Sequence, residues 1–124
     1  MPVSLVKNTP FDERDDLMNG RTILDPDPAG WSGVAVMEWE LTRAEWTDRH
    51  PHDEVNYVLE GELRVECDGE TVVAGVGDTV VVTAHSTGRY FAPVYARMLA
   101  VYGPNPHGEA SDRFHYRRLD NPAP

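Results

Sequence analysis

Apolar and polar residues alternate along the middle of the chain in short runs that glycine, proline and Asp-Gly pairs interrupt. In Val34–Leu41, for example, Ala35 and Trp39 fall on one parity, while Glu38 and Glu40 fall on the other. A period of two is typical of half-buried strands, and no segment sustains the 3.6-residue period of an amphipathic helix. The pattern predicts an all-β domain, either a sandwich or a barrel of six to eight strands.

Turn residues divide this region into separate strands. Asp68-Gly69 predicts a two-residue hairpin turn, because both positions can adopt a positive φ. The chain before Trp31 is rich in Asp, Pro, Asn and Gly, and we expect an arm with one short strand at Arg21–Leu24. The strands predicted for the centre are Val34–Leu41, Val55–Leu59, Leu63–Cys67, Thr71–Ala74, Thr79–Thr83, Arg89–Phe91 and Tyr95–Tyr102.

The length of 124 residues indicates one domain with three parts. Residues 1–30 form the arm, residues 31–102 form the barrel core, and residues 103–124 form a tail that packs on the barrel. In the tail, Phe114, Tyr116 and Leu119 can lay one short strand or turn against the body. A loosely packed tail is the alternative.

Charge and composition exclude several classes of function. The formal net charge of −10 disfavours binding to nucleic acid and to anionic membrane surfaces. No apolar run approaches the roughly 20 residues of a membrane helix, and the first ten residues do not resemble a signal peptide. Cys67 is the single cysteine, so no internal disulfide can form. We expect a cytoplasmic protein.

The stretch D-R-H-P-H-D-E at residues 48–54 holds the candidate chemistry. Residues two apart in an extended segment point to the same side, so Asp48, His50, His52 and Glu54 would line one face. Nitrogen and oxygen donors of this kind suit Fe²⁺, Mn²⁺, Ni²⁺ or Zn²⁺, and they also suit acid/base catalysis. In the alternative interpretation, this stretch is a surface turn with solvated histidines, because it contains turn-forming residues.

If Glu54 points into the barrel, other residues can be assigned to the walls of the pocket. Asn56 would face inward too, and a buried amide either binds a ligand or joins an internal network. Tyr90 would line the same wall as Gly88, where it either orients a ligand or serves as a core aromatic. His85 can act as a ligand only if the loop after Thr83 folds inward.

The histidine-containing segment resembles the first motif of the cupin superfamily. Glu54, six further residues and Gly61 have the family's spacing, and His50 stands at the position of the second histidine. The first histidine position holds Asp48.

Gly77-Asp78, followed by the strand Thr79–Thr83, resembles the second motif of the family. Gly88 stands at the position of the family's last metal histidine. The resemblance covers roughly residues 33–102, and two of the four usual metal ligands are replaced. The runs H-D-E-V-N-Y-V-L-E-G-E-L and A-R-M-L-A-V-Y-G-P-N-P are also similar to the cupins encoded with ethanolamine utilisation.

The resemblance implies a double-stranded β-helix, the jelly-roll barrel. It also implies a divalent metal held by His50 and Glu54 with Asp48 or His52, which acts on a small oxygenated molecule. The expected activities are isomerisation, cyclisation, elimination or dioxygen chemistry, with Asn56 and Tyr90 orienting the substrate.

Two alternatives to metal catalysis remain. One is a metal-free acid/base cupin that works through His50 and Glu54, and the other is a barrel that binds a small molecule without catalysis. In all cases we expect a homodimer in which Arg21–Leu24 adds a strand to the partner's sheet.

Overall fold

A computed structural model describes residues 2–15 and 17–119 of the chain. All regular structure in these ranges is β-strand, and no helix there has the length and apolar character needed to cross a membrane. The strands are β1 (Asp12–Asp15), β2 (Met18–Leu24), β3 (Ala35–Arg49), β4 (Glu54–Gly61), β5 (Leu63–Cys67), β6 (Glu70–Ala74), β7 (Thr79–Val82), β8 (Thr87–Tyr102) and β9 (Asp112–Arg118).

The strands form one antiparallel sheet organised around β8. The order along the sheet is β1-β2-β3-β8-β4-β7, while β5 joins β8 to β6 and β9 adds to β3. The first half of β8 pairs with β5, and its second half pairs with β4. Both halves pair with β3 on the other edge. The sheet therefore closes into a jelly-roll barrel, which confirms the predicted fold class.

The structure confirms the hairpin and corrects one predicted break. Asp68 and Gly69 have φ values of 52° and 80°, as the turn requires. Arg89–Phe91 and Tyr95–Tyr102, predicted as separate strands, both belong to the continuous strand β8. The proline between them does not end the strand because the β3–β8 register shifts at this point, and a bulge tolerates a residue that has no N–H.

The arm contributes one strand more than the sequence predicts, and the described residues form nine strands. Strand β1 was not predicted, and β9 carries two of the three tail residues expected to pack on the body. Arg21–Leu24 lies in β2 and pairs with β3, while β1 pairs with residues 18–20. The homodimer stays a prediction.

The core lies between the two halves of the closed sheet. Leu41, Leu63 and Met98 are among its fully buried side chains. On β4 the inward parity begins with two polar residues, Glu54 and Asn56, which are 2% and 0% exposed. The apolar interior thus becomes polar at one end of the barrel.

Candidate metal centre and cavity

A cavity of about 490 Å³ opens at this end of the barrel. Its walls come from the arm, from β3, from the end of β8 and from the tail. Asp48, His50 and Glu54 lie together in it.

The backbone between β3 and β4 brings these three side chains together. Asp48 lies near the end of β3 and Glu54 begins β4, but residues 51–52 form a bend. The segment is therefore not one continuous strand, and the turn expected as the alternative is present, with His50 and His52 in the lining of the cavity. The bend is held by the backbone N–H of His85, which donates to the carbonyl of His50 at 2.7 Å. The convergence depends on this bend rather than on strand periodicity.

The polar atoms of the three residues face one another at short range. His50 Nε2 lies 3.0 Å from Asp48 Oδ2 and 3.0 Å from Glu54 Oε1. One donor atom from each residue lies within 4.8 Å of the other two. Neighbouring ligands at about 2.1 Å from an octahedral ion are themselves about 3.0 Å apart, so this spacing is compatible with a shared divalent cation.

Two of these atoms lack hydrogen-bond partners. His50 Nε2 and Glu54 Oε1 are both buried, and neither makes a hydrogen bond of normal geometry. Buried polar atoms are paired in most proteins, because an unpaired one costs about 1–3 kcal/mol. A cation between them would satisfy both atoms, so the donor set fits a metal.

Each carboxylate also accepts a hydrogen bond from a neighbouring side chain. Trp46 Nε1 donates to Asp48 Oδ2 at 2.8 Å. Asn56 Nδ2 donates to Glu54 Oε2 at 2.7 Å, and the Asn56 oxygen accepts from Trp39 Nε1 at 2.8 Å. Such supporting bonds fix the orientation of metal ligands. Of the two roles predicted for Asn56, the structure shows membership of an internal network.

The two histidines of the bend have different surroundings. His50 Nδ1 shares a hydrogen bond with Ser111 Oγ, which leaves Nε2 to face the carboxylates. The ring of His52 stacks on that of His50 with centroids 4.7 Å apart, and its Nδ1 donates to the Asp53 carbonyl at 3.0 Å. His52 is buried in the cavity wall and lies outside the group of three.

The electrostatic environment shifts the titration of the cluster. Burial alone lowers the pKa of His50, but the adjacent Asp48 and Glu54 outweigh it and raise the pKa to about 9. Burial raises the pKa of Glu54 above its usual range. Without a metal, His50 is therefore protonated at neutral pH, and Asp48 and Glu54 stabilise the imidazolium.

Tyr90 fills the position next to the centre. Its ring is 1% exposed and packs edge-on against Trp39, and its hydroxyl has no hydrogen-bond partner. Burial raises its pKa far above the usual value, so the phenol stays neutral. Tyr90 is not among the residues that line the cavity, so of the two roles expected for it the buried position fits the core aromatic. It is a core residue beside the site.

Gly88, at the position of the missing histidine, is the reason that Tyr90 fits. A Cβ at Gly88 would lie 3.0 Å from both Cε2 and the hydroxyl of Tyr90. We expect Gly88→Ala to displace the ring and to lower the free energy of unfolding by about 1–3 kcal/mol, measured by chemical denaturation. Gly33→Ala is the control, because nothing lies within 4 Å of its added Cβ. Equal stability of both variants would contradict this packing.

Several site residues escaped the sequence analysis. Trp46 shares the parity of Asp48 on β3, and that signal was available. Trp31 comes from the connection between β2 and β3, and Ser111 comes from the tail, where no local pattern marks it. Phe114 was expected to pack on the body but not to line the site. Conversely, His85, His107 and His115 are exposed.

The closed jelly-roll barrel is the fold of the cupins, and here one imidazole and two carboxylates converge at its end. The crystal structure of an RmlC-like cupin from Shewanella frigidimarina superposes with a TM-score of 0.66 at 19% identity, covering 82% of this chain and 88% of that one. The chain belongs to the EutQ family, since the family model described as ethanolamine utilisation protein EutQ matches residues 3–108.

Relatives within the family are similar over most of this chain. "Acetate kinase EutQ" of Salmonella typhimurium is 35% identical over 102 residues, which are 82% of this chain and 44% of the relative. The crystal structure of ethanolamine utilisation protein Q from Salmonella typhimurium has a TM-score of 0.62 at 30% identity, covering 70% of this chain and 69% of that one. The chain spans less than half the length of the curated relatives it matches.

Proposed function

We propose that the protein is a metal-binding cupin that binds or transforms a small oxygenated molecule in its cavity. Asp48, His50 and Glu54 would hold the ion. The observation that carries this proposal is the cluster itself: His50 Nε2 lies 3.0 Å from a carboxylate oxygen of Asp48 and of Glu54, and neither Nε2 nor Glu54 Oε1 makes a hydrogen bond of normal geometry.

The donor set supports a first-row divalent metal. One imidazole nitrogen and two carboxylate oxygens suit Fe²⁺, Mn²⁺, Ni²⁺ and Zn²⁺. A bound ion would polarise a substrate oxygen as a Lewis acid. The protein's own contribution is orientation: Ser111 holds the imidazole, Trp46 holds Asp48, and Asn56 holds Glu54.

A metal-free function is the second candidate, and the same contacts favour it. Two carboxylates at 3.0 Å stabilise a proton on His50 Nε2, which is what an acid/base pair requires. In this case His50 and Glu54 would exchange a proton with the ligand, or the cluster would only bind it.

Elemental analysis separates the two candidates. Protein purified without a metal-affinity tag should retain about one divalent metal per chain, because the three donors are buried and held in place. His50→Ala should lose it, whereas the exposed His115→Ala should not. If the wild type binds none of the four ions even after soaking, the metal proposal fails and the acid/base candidate remains.

Phosphoryl transfer, the activity in the name of the longer relatives, is not part of this proposal. Among the described residues, no lysine or arginine lines the cavity. A site for acyl phosphate or nucleotide would need such groups to balance its charge.

A further inference from the structure

The charge of the cavity wall restricts what it can bind. Besides Asp48 and Glu54, the acidic residues Asp27 and Glu109 line it, and among the described residues the basic side chains of its lining are His50 and His52. A divalent ion would balance Asp48 and Glu54, so the wall would keep a negative charge from the other two. Six arginines form ion pairs with acidic residues that do not line the cavity: Arg21, Arg49, Arg64, Arg89, Arg97 and Arg117.

The aromatic residues of the wall further restrict which ligands the cavity can bind. These residues are Trp31, Trp39, Trp46, Tyr102 and Phe114. All three indole N–H groups are already donated within the protein. Trp31 donates to the Tyr102 carbonyl at 3.2 Å, and the other two donate to Asn56 and Asp48. These indoles therefore offer a ligand apolar surface and π faces, but no hydrogen-bond donors.

The polar groups that remain are mainly acceptors. The side-chain amide of Asn105 is occupied at both ends by the backbone of Glu109. Glu54 Oε1 belongs to a residue that lines the cavity, and it lies 3.0 Å from His50 Nε2 without making a hydrogen bond of normal geometry. A wall of carboxylates and aromatic rings complements a positively charged, partly apolar molecule, because cations are attracted to ring faces and anions are repelled.

We infer that the cavity selects small organic ammonium ions over anions and over uncharged molecules of the same shape. This inference rests on the proposed role of the cavity as a ligand site, and it adds the chemical class of the ligand.

A matched pair of probes tests this selection on the full chain. Choline and 3,3-dimethylbutan-1-ol have nearly the same shape, but only choline is charged. Because all three tryptophans line the cavity, quenching of their fluorescence reports on binding. We expect choline to bind about tenfold more tightly than the alcohol, and acetate and inorganic phosphate not to displace it. Equal binding of the pair, no binding of either probe, or displacement by an anion would overturn the inference.

Two leucine variants test the aromatic contribution. Phe114→Leu removes a π face from the cavity wall, where Phe114 is 59% exposed, and it should weaken choline binding severalfold. Phe91→Leu is the control, since that ring lies under Arg89 and does not line the cavity. Equal affinity of both variants would remove the aromatic argument and overturn the inference.

The titrations are run with EDTA and after metal loading, with metal content measured separately. Selective choline binding in a protein that takes up no metal would refute the metal centre and support the ammonium site. Metal uptake with no preference between choline and the alcohol would support the metal centre and refute the ammonium site.

Discussion

Replacing Glu54 by glutamine should abolish stoichiometric metal binding while leaving the barrel folded. Glutamine keeps the shape of glutamate, and its oxygen can still accept the hydrogen bond from Asn56 Nδ2. Its amino group then takes the place of Oε1, 3.0 Å from His50 Nε2, where it donates rather than coordinates. Loss of a group that only supports a ligand costs 10–100-fold in metal affinity, so loss of the ligand itself should cost about 100-fold or more. Isothermal titration with Zn²⁺ and Mn²⁺ measures the change.

Glu60→Gln is the matched control on the same strand. Glu60 lies near the other end of β4, where it is exposed and paired with Arg97. Its substitution removes the same charge from the chain without touching the cavity, so it should leave metal affinity unchanged. If Glu54→Gln and Glu60→Gln bind metal equally, the cluster at residues 48–54 is not the metal centre.

Gly61→Ala should be the most destabilising single substitution among these tests. Gly61 has a φ of +75°, and a Cβ there would lie 2.1 Å from the carbonyl oxygen of Tyr95. That oxygen accepts the backbone N–H of Glu62 at 3.0 Å, so any displacement also breaks this bond. Left-handed strain costs about 1–2 kcal/mol and overlap in a packed region about 1–3 kcal/mol. The combined loss of about 3 kcal/mol or more is a large share of the stability of a typical domain.

Comparison with Gly69→Ala separates the steric cost of Gly61→Ala from its conformational cost. Gly69 has a similar φ of +80°, but nothing lies within 4 Å of its added Cβ. The Gly69→Ala variant should lose about 1–2 kcal/mol of its free energy of unfolding, the cost of left-handed backbone strain alone, measured by urea denaturation. If both variants lose the same amount, close packing against Tyr95 is not the reason that glycine stands at position 61.

The sequence predicted the donor residues of the candidate site but not how the neighbouring side chains pack. Asp48, His50 and Glu54 lie within seven residues, so one local segment reveals the donor set. The sequence left two roles open for Tyr90, and the space beside Gly88 accommodates its ring and places it in the core. Such packing depends on the volume available between strands, which no local pattern records.

By itself, the sequence determined the all-β class, the hairpin at Asp68-Gly69 and the inward parity of β4, because alternation and turn chemistry act between neighbouring residues. Only the tertiary structure decided how the site is assembled. The two ends of β8 pair with β3 at Asp48 and with β4 at Glu54, and barrel closure brings these positions together. Ser111 and the aromatic walls from the arm and tail reach the cavity through contacts between residues far apart in sequence, and local periodicity carries no information about such contacts.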